Sequence, residues 1–195
     1  NGVINYATIN EYLLKLLDDD KFSHSYVNQA INAIKIYLKL INNYNQEQLL
    51  KIIRPKTEKK LPKVLSKREV KTLIDVLKNP KHKTMIMLGY SCGMRVSEVA
   101  KLQVKDIDYD RMTVLITQGK GRKDRVVNLS EVMSCQLKAY TQLYSPKKWI
   151  FENPKGDSHI TPRTLQKVFN KACATGQITK SVSFHSLRHS YATHL

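Results

Sequence analysis

At 195 residues, with 42% hydrophobic and 25% charged side chains and only 7 Gly and 6 Pro, the chain can bury a substantial core, which excludes disordered, collagenous and low-complexity classes. Its 33 Lys and Arg against 16 Asp and Glu leave a net charge of +17. Such an excess favours a polyanionic partner, nucleic acid foremost, because each phosphate neutralised releases condensed counterions. No apolar run approaches the ~20 residues of a bilayer span and no basic helix carries a broad lipid-facing stripe, so no membrane partner is expected.

In chain order, a first helix is predicted over residues 8–17 on Ile9, Leu13, Leu14 and Leu17, broken by Asp18, Asp19 and Asp20. A second carries Val27, Ala30, Ile31, Ile34, Tyr37, Leu38 and Ile41 at spacings of three and four, with Ser23 or Ser25 as N-cap. Over 54–63 the periodicity vanishes, positive charge rises and two prolines interrupt regular hydrogen bonding, which marks a basic linker. Residues 1–53 and 64–195 are thereby set apart as two domains.

In the second domain, Ser66-Lys67-Arg68-Glu69 reads as a capping box before a helix with Val70, Leu73, Ile74 and Leu77 inward. Residues 84–90 are almost wholly apolar and predict a buried helix, followed through Ser91-Cys92-Gly93 by a short helix over about 95–102. Three segments rich in β-branched residues, 104–108, 112–117 and 125–129, predict a three-stranded antiparallel sheet. Ser130 then caps a helix to about Tyr144, and Thr161-Pro162 opens another that turns Leu165, Val168, Phe169 and Ala172 inward and ends at Gly176. A last helix starts near Ser183.

Cys92, Cys135 and Cys173 are odd in number and far apart, so neither a disulfide framework nor a zinc knuckle is expected, and a reduced, cytoplasmic setting fits. The chain opens at Asn1 without a charged and then apolar leader, and Leu195 falls inside a predicted helix; both ends read as cut.

Four basic residues stand out by context. Arg95 opens a helix straight after a Gly-containing turn, Lys120 sits at a hairpin tip, and His185 and Arg188 share one face of the last helix at i and i+3. Two guanidiniums, an ammonium and an imidazole suit a phosphoryl centre passing through a five-coordinate transition state without a metal or other cofactor. The arginines would hold the non-bridging oxygens, Lys120 could protonate a leaving 5′ oxygen, and His185 could share a nucleophile's proton. The set lacks a nucleophile.

Three segments carry a resemblance. Cys92-Gly93-Met94-Arg95-Val96-Ser97-Glu98, Gly119-Lys120-Gly121-Arg122-Lys123-Asp124-Arg125 and the run from His185-Ser186-Leu187-Arg188 to Leu195 resemble, in order, the boxes of tyrosine recombinases, nearest the Xer and phage-integrase branch. The resemblance implies a mainly α protein: a partial helical core-binding domain of SAM-like type at 1–53 and, at 64–195, a mostly helical catalytic domain with the small sheet, the two closing as a clamp on duplex DNA. It makes Arg95 and Arg188 the two catalytic arginines, Lys120 the hairpin lysine and His185 the box histidine, with Glu98 supporting Arg95. In the family the attacking tyrosine lies well beyond the second arginine, whereas only Tyr191 of the ten tyrosines here follows Arg188. The chain as written is therefore expected to bind DNA without cleaving it, its catalytic domain incomplete.

The implied activity is site-specific recombination through a 3′-phosphotyrosyl intermediate, four protomers acting on two DNA sites with inverted repeats. On the helix opened by Thr161-Pro162, the outward Arg163, Gln166 and Lys167 suit a major groove, and Arg122 and Lys123 suit backbone phosphates. His185 and His189 lie one turn apart, but Ser186 stands where a zinc HExxH helix needs Glu, so no metal is expected. The alternative is a non-catalytic DNA-binding regulator or architectural module on the same fold. Basic RNA binding fits the charge and not the boxes.

Overall fold

In the computed structural model, which describes residues 6–19, 22–41, 52, 62–117 and 124–195, the chain divides into two units, 1–60 and 61–195. The predicted break at Asp20, the side chain of Ile41, the linker over 54–61, and Lys120, Arg122 and Lys123 lie outside the described residues.

In the first unit, α1 (Tyr6–Asp18) packs on α2 (His24–Ile41). Ile9, Leu13 and Leu16 meet Val27, Ile31 and Leu38 in a small core with Ile52. Leu14, expected inward, is 56% exposed, because a 3.6-residue period running through Ile9 and Leu13 next reaches position 16. Tyr37, also expected inward, is 48% exposed. Ser23 is the N-cap, its Oγ accepting the Tyr26 N–H at 3.2 Å.

The second unit opens with α3 (Lys67–Asp75), where Ser66 Oγ accepts the Glu69 N–H at 3.2 Å and Glu69 Oε2 accepts the Ser66 N–H at 2.7 Å. α4 (Pro80–Ser91), capped by Asn79, is the central helix and buries Thr84, Met85, Ile86, Leu88 and Gly89. Gly89 permits the close approach of a later helix: a Cβ there would lie 2.6 Å from Phe184 Cζ. After Cys92 the chain turns at Gly93, whose φ of +55° lies in the left-handed region, and enters α5 (Val96–Ala100).

The expected first strand is a correction. Residues Val104–Asp106 form a 3₁₀ turn, because the buried Asp106 carboxylate accepts the Gln103 N–H at 2.9 Å and tightens the chain before it can extend. Only β1 (Ile107–Asp108) remains to pair with β2 (Thr113–Ile116), which pairs with β3 (Arg125–Asn128) in an antiparallel sheet of order β1-β2-β3. Ile116 lies opposite Arg125 at the hairpin end.

α6 (Glu131–Tyr144) starts at Ser130, and α7 (Pro162–Thr175) starts at Thr161 with Pro162 in the first turn and Gly176 just past its end. α8 (Phe184–His194) starts at Ser183. Leu165, Val168, Phe169 and Ala172 of α7 join Phe184 and Leu187 of α8, Tyr140 and Phe151 in one core around α4. The fold is mainly helical with one small antiparallel sheet. No described helix is long and apolar enough to cross a membrane.

Candidate functional site

The Gly93 turn organises the site. Its left-handed backbone aims the Gly93 carbonyl at α8, where Arg188 Nη1 donates to it, and the Tyr191 ring lies where a Cβ on Gly93 would fall, 2.5 Å from Cδ1. Two residues on, Arg95 is the N-cap of α5 in extended conformation. Its N–H donates to Glu98 Oε2 at 2.7 Å and its Nη1 to Glu98 Oε1 at 2.8 Å.

Glu98 is 7% exposed at its side chain and also accepts both terminal nitrogens of Arg125, each at 2.7 Å. Burial pushes its pKa up, but the hydrogen bonds from Arg125 and Arg95 outweigh that and bring it down to about 2. Arg188 is pushed down from the usual arginine value by burial and then by the charges of Arg95 and Arg125, with Glu98 opposing. Arginine stays protonated regardless, so two guanidiniums share the Glu98 carboxylate while Arg188 bonds the Gly93 carbonyl near them.

His185, in the first turn of α8, stacks edge-on against His189 with ring centroids 4.5 Å apart and planes at 85°. Burial, His189, Arg188 and Arg95 lower its pKa in that order, which favours the neutral imidazole that can accept a proton. Both histidines line a cavity of about 330 Å³ with Lys63, Ser181 and Ser183. The structure thus brings Arg95, His185 and Arg188 together.

On α7, Arg163 and Lys167 are exposed. Gln166 is turned partly inward: its Nε2 donates to Asn170 Oδ1 at 2.8 Å and its Oε1 accepts the Phe184 N–H at 3.3 Å, so its carboxamide is engaged within the protein. Sequence reasoning missed Arg125 as a member of the site, since it read that position only as strand. The signal available was its place at the end of the second box, beside the hairpin. Among the described residues, no group of three or more His, Cys, Asp or Glu is gathered as a metal site would be.

Residues 63–195 match the family described as the phage integrase family. A tyrosine recombinase of Thermosipho africanus is 41% identical over 110 residues, covering 56% of this chain and 38% of that protein. Tyrosine recombinase XerC of Oceanobacillus iheyensis is 36% identical over 115 residues, covering 54% and 37%. The chain spans less than half the length of these relatives. Among solved structures, the XerH site-specific recombinase bound to difH substrate in a pre-cleavage complex is 25% identical with a TM-score of 0.74, covering 97% of this chain and 58% of that one. With the match running unbroken from the start of the second unit through the Gly93 turn, the Glu98 cluster and the His185 helix, the chain belongs to the phage integrase family.

Proposed function

We propose that this chain is part of a site-specific DNA recombinase and supplies its phosphate-activating groups. Arg95 and Arg188, on separate elements, converge at the Gly93 turn beside His185, and that convergence carries the proposal. The two guanidiniums hold the non-bridging oxygens of a scissile phosphate and stabilise the charge that grows on them in the five-coordinate transition state. A tyrosine oxygen forms a bond to phosphorus as the bond to the 5′ oxygen breaks. His185 takes up the tyrosine's proton and Lys120 gives one to the departing oxygen. The 3′-phosphotyrosyl link conserves the phosphodiester energy, so religation needs neither ATP nor a metal.

Duplex DNA with an inverted-repeat site is the substrate, bound by Arg163 and Lys167 of α7, with Arg122 and Lys123 of the hairpin on backbone phosphates. The first unit, with the linker after it, is the core-binding domain. Four copies assemble on two sites. The net charge of +17 and the difH substrate held by the similar XerH structure support a DNA partner. Tyr191 packs its ring against Gly93 and is not proposed as the nucleophile.

Fluorescence anisotropy with labelled duplex and with a structured RNA hairpin, across rising salt, tests the proposal. Preference for duplex is expected. Equal or tighter binding of the RNA would overturn the DNA substrate.

A further inference from the structure

Arg125 opens β3, paired with Ile116 of β2, and its guanidinium reaches across to α5. There it pairs with both oxygens of Glu98 in the two-pronged geometry that arginine and carboxylate prefer. Arg95 reaches the same carboxylate through its backbone N–H and through Nη1 alone. Among the described residues, Nε and Nη2 of Arg95 make no hydrogen bond. Four donors from two arginines thus crowd onto two oxygens that are almost fully buried.

That sharing has a direction. If Arg125 were absent, both oxygens of Glu98 would be open to Arg95, and its guanidinium would rotate into the two-pronged pair itself, closing its remaining N–H groups against the protein. The side chain best placed to grip a phosphoryl oxygen would then be spent on an internal carboxylate. With Arg125 in place, Glu98 anchors Arg95 at one nitrogen and leaves the others to face an anion. The same bond fastens the base of the hairpin to α5.

We propose that Arg125 is a positioning residue of the phosphate site, holding Glu98 so that Arg95 stays open to a phosphoryl oxygen. The proposal rests on the phosphate reading of the Arg95–Arg188 cluster given above. Arg125 itself touches Glu98 and need not touch the substrate.

The test is a titration of the chain with inorganic phosphate, followed through the side-chain Nε–H signals of Arg95 and Arg188 by ¹H–¹⁵N NMR. In the unaltered chain both signals shift along one binding curve. In Arg125→Gln the response of Arg95 should weaken by about tenfold or more in apparent affinity while Arg188 still responds, and Arg125→Lys should recover part of the loss. A merely structural Arg125 would lower the thermal midpoint and leave the Arg95 curve unmoved. An Arg95 response within twofold of the unaltered chain in Arg125→Gln therefore overturns the proposal and leaves the phosphate site standing. Should Arg125→Gln not fold, the comparison of Arg125→Lys with the unaltered chain decides in the same way. If neither arginine of the unaltered chain responds to phosphate, the phosphate reading falls and the proposal with it.

Discussion

Arg188 donates to the carbonyl of Gly93, a bond between residues 95 positions apart that ties the last helix to the turn ahead of α5. The bond uses one guanidinium nitrogen and orients the rest. A glycine stands two residues before Arg95 because φ there is +55° and a Cβ would fall 2.5 Å from the Tyr191 ring.

Replacing Arg188 with Ala removes a positive charge from the centre of the cluster and leaves the Gly93 carbonyl without this partner. Phosphate binding followed at Arg95 should weaken by about tenfold or more, the worth of one charge-assisted contact, while duplex affinity falls by less. In a protein that carries the attacking tyrosine, covalent cleavage should be abolished with binding largely spared. Undiminished cleavage would remove Arg188 from the reaction.

Glu98→Gln should destabilise the fold by about 3 kcal/mol at neutral pH, because two part-buried guanidiniums lose their shared counter-charge. The pH dependence follows from the depressed pKa. Glu98 sits at about 2 in the fold against an ordinary 4.5, so its stabilisation is fully present above the ordinary value and is lost as pH falls toward about 2. Urea midpoints of the two proteins, compared at pH 7, 5 and 3, should differ nearly as much at pH 5 as at pH 7 and clearly less at pH 3. A constant difference would mean that the carboxylate is not held by charge.

Gly93→Ala combines a positive φ with a Cβ placed 2.5 Å from the Tyr191 ring. Together these should cost about 2–4 kcal/mol in chemical denaturation. Adding Tyr191→Ala should relieve the steric part and leave the backbone strain. A double variant no more stable than Gly93→Ala alone would place the whole loss in the backbone.

Gln166→Ala should lower stability by about 1 kcal/mol in the absence of any DNA, since it removes the acceptor of the Phe184 N–H and the donor to Asn170. Arg163→Ala, on an exposed side chain of the same helix, should leave stability unchanged and weaken duplex binding. An unchanged thermal midpoint in Gln166→Ala would mean that its internal bonds contribute nothing to the fold.

Local chemistry made much of this molecule legible from its sequence. The capping box at Ser66, the caps at Ser130 and Thr161 and the inward stripe of α7 depend on neighbours within four residues, and the fold contains them as read. The failures came where a side chain overrode propensity or where partners lie far apart. β-branched Val104 reads as strand, yet the Asp106 carboxylate turns the backbone back onto Gln103. Leu14 and Leu16 are chemically alike, and only the helical phase against α2 decides which is buried. Arg125 reaches a carboxylate 27 positions earlier, a contact made by the packing of sheet against α5 and invisible to periodicity. The boxes located the cluster, but not that Glu98 is divided between two arginines.

The carboxamide of Gln166 joins two helices with different tasks. α7 exposes the side chains proposed to read the duplex, and the first residue of α8 hangs from that carboxamide by its N–H, one residue before His185. The position of α7 thereby bears on the start of the helix that carries His185 and Arg188. Under the proposed duplex reading, a misplaced α7 would disturb the reacting groups as well as the grip on DNA.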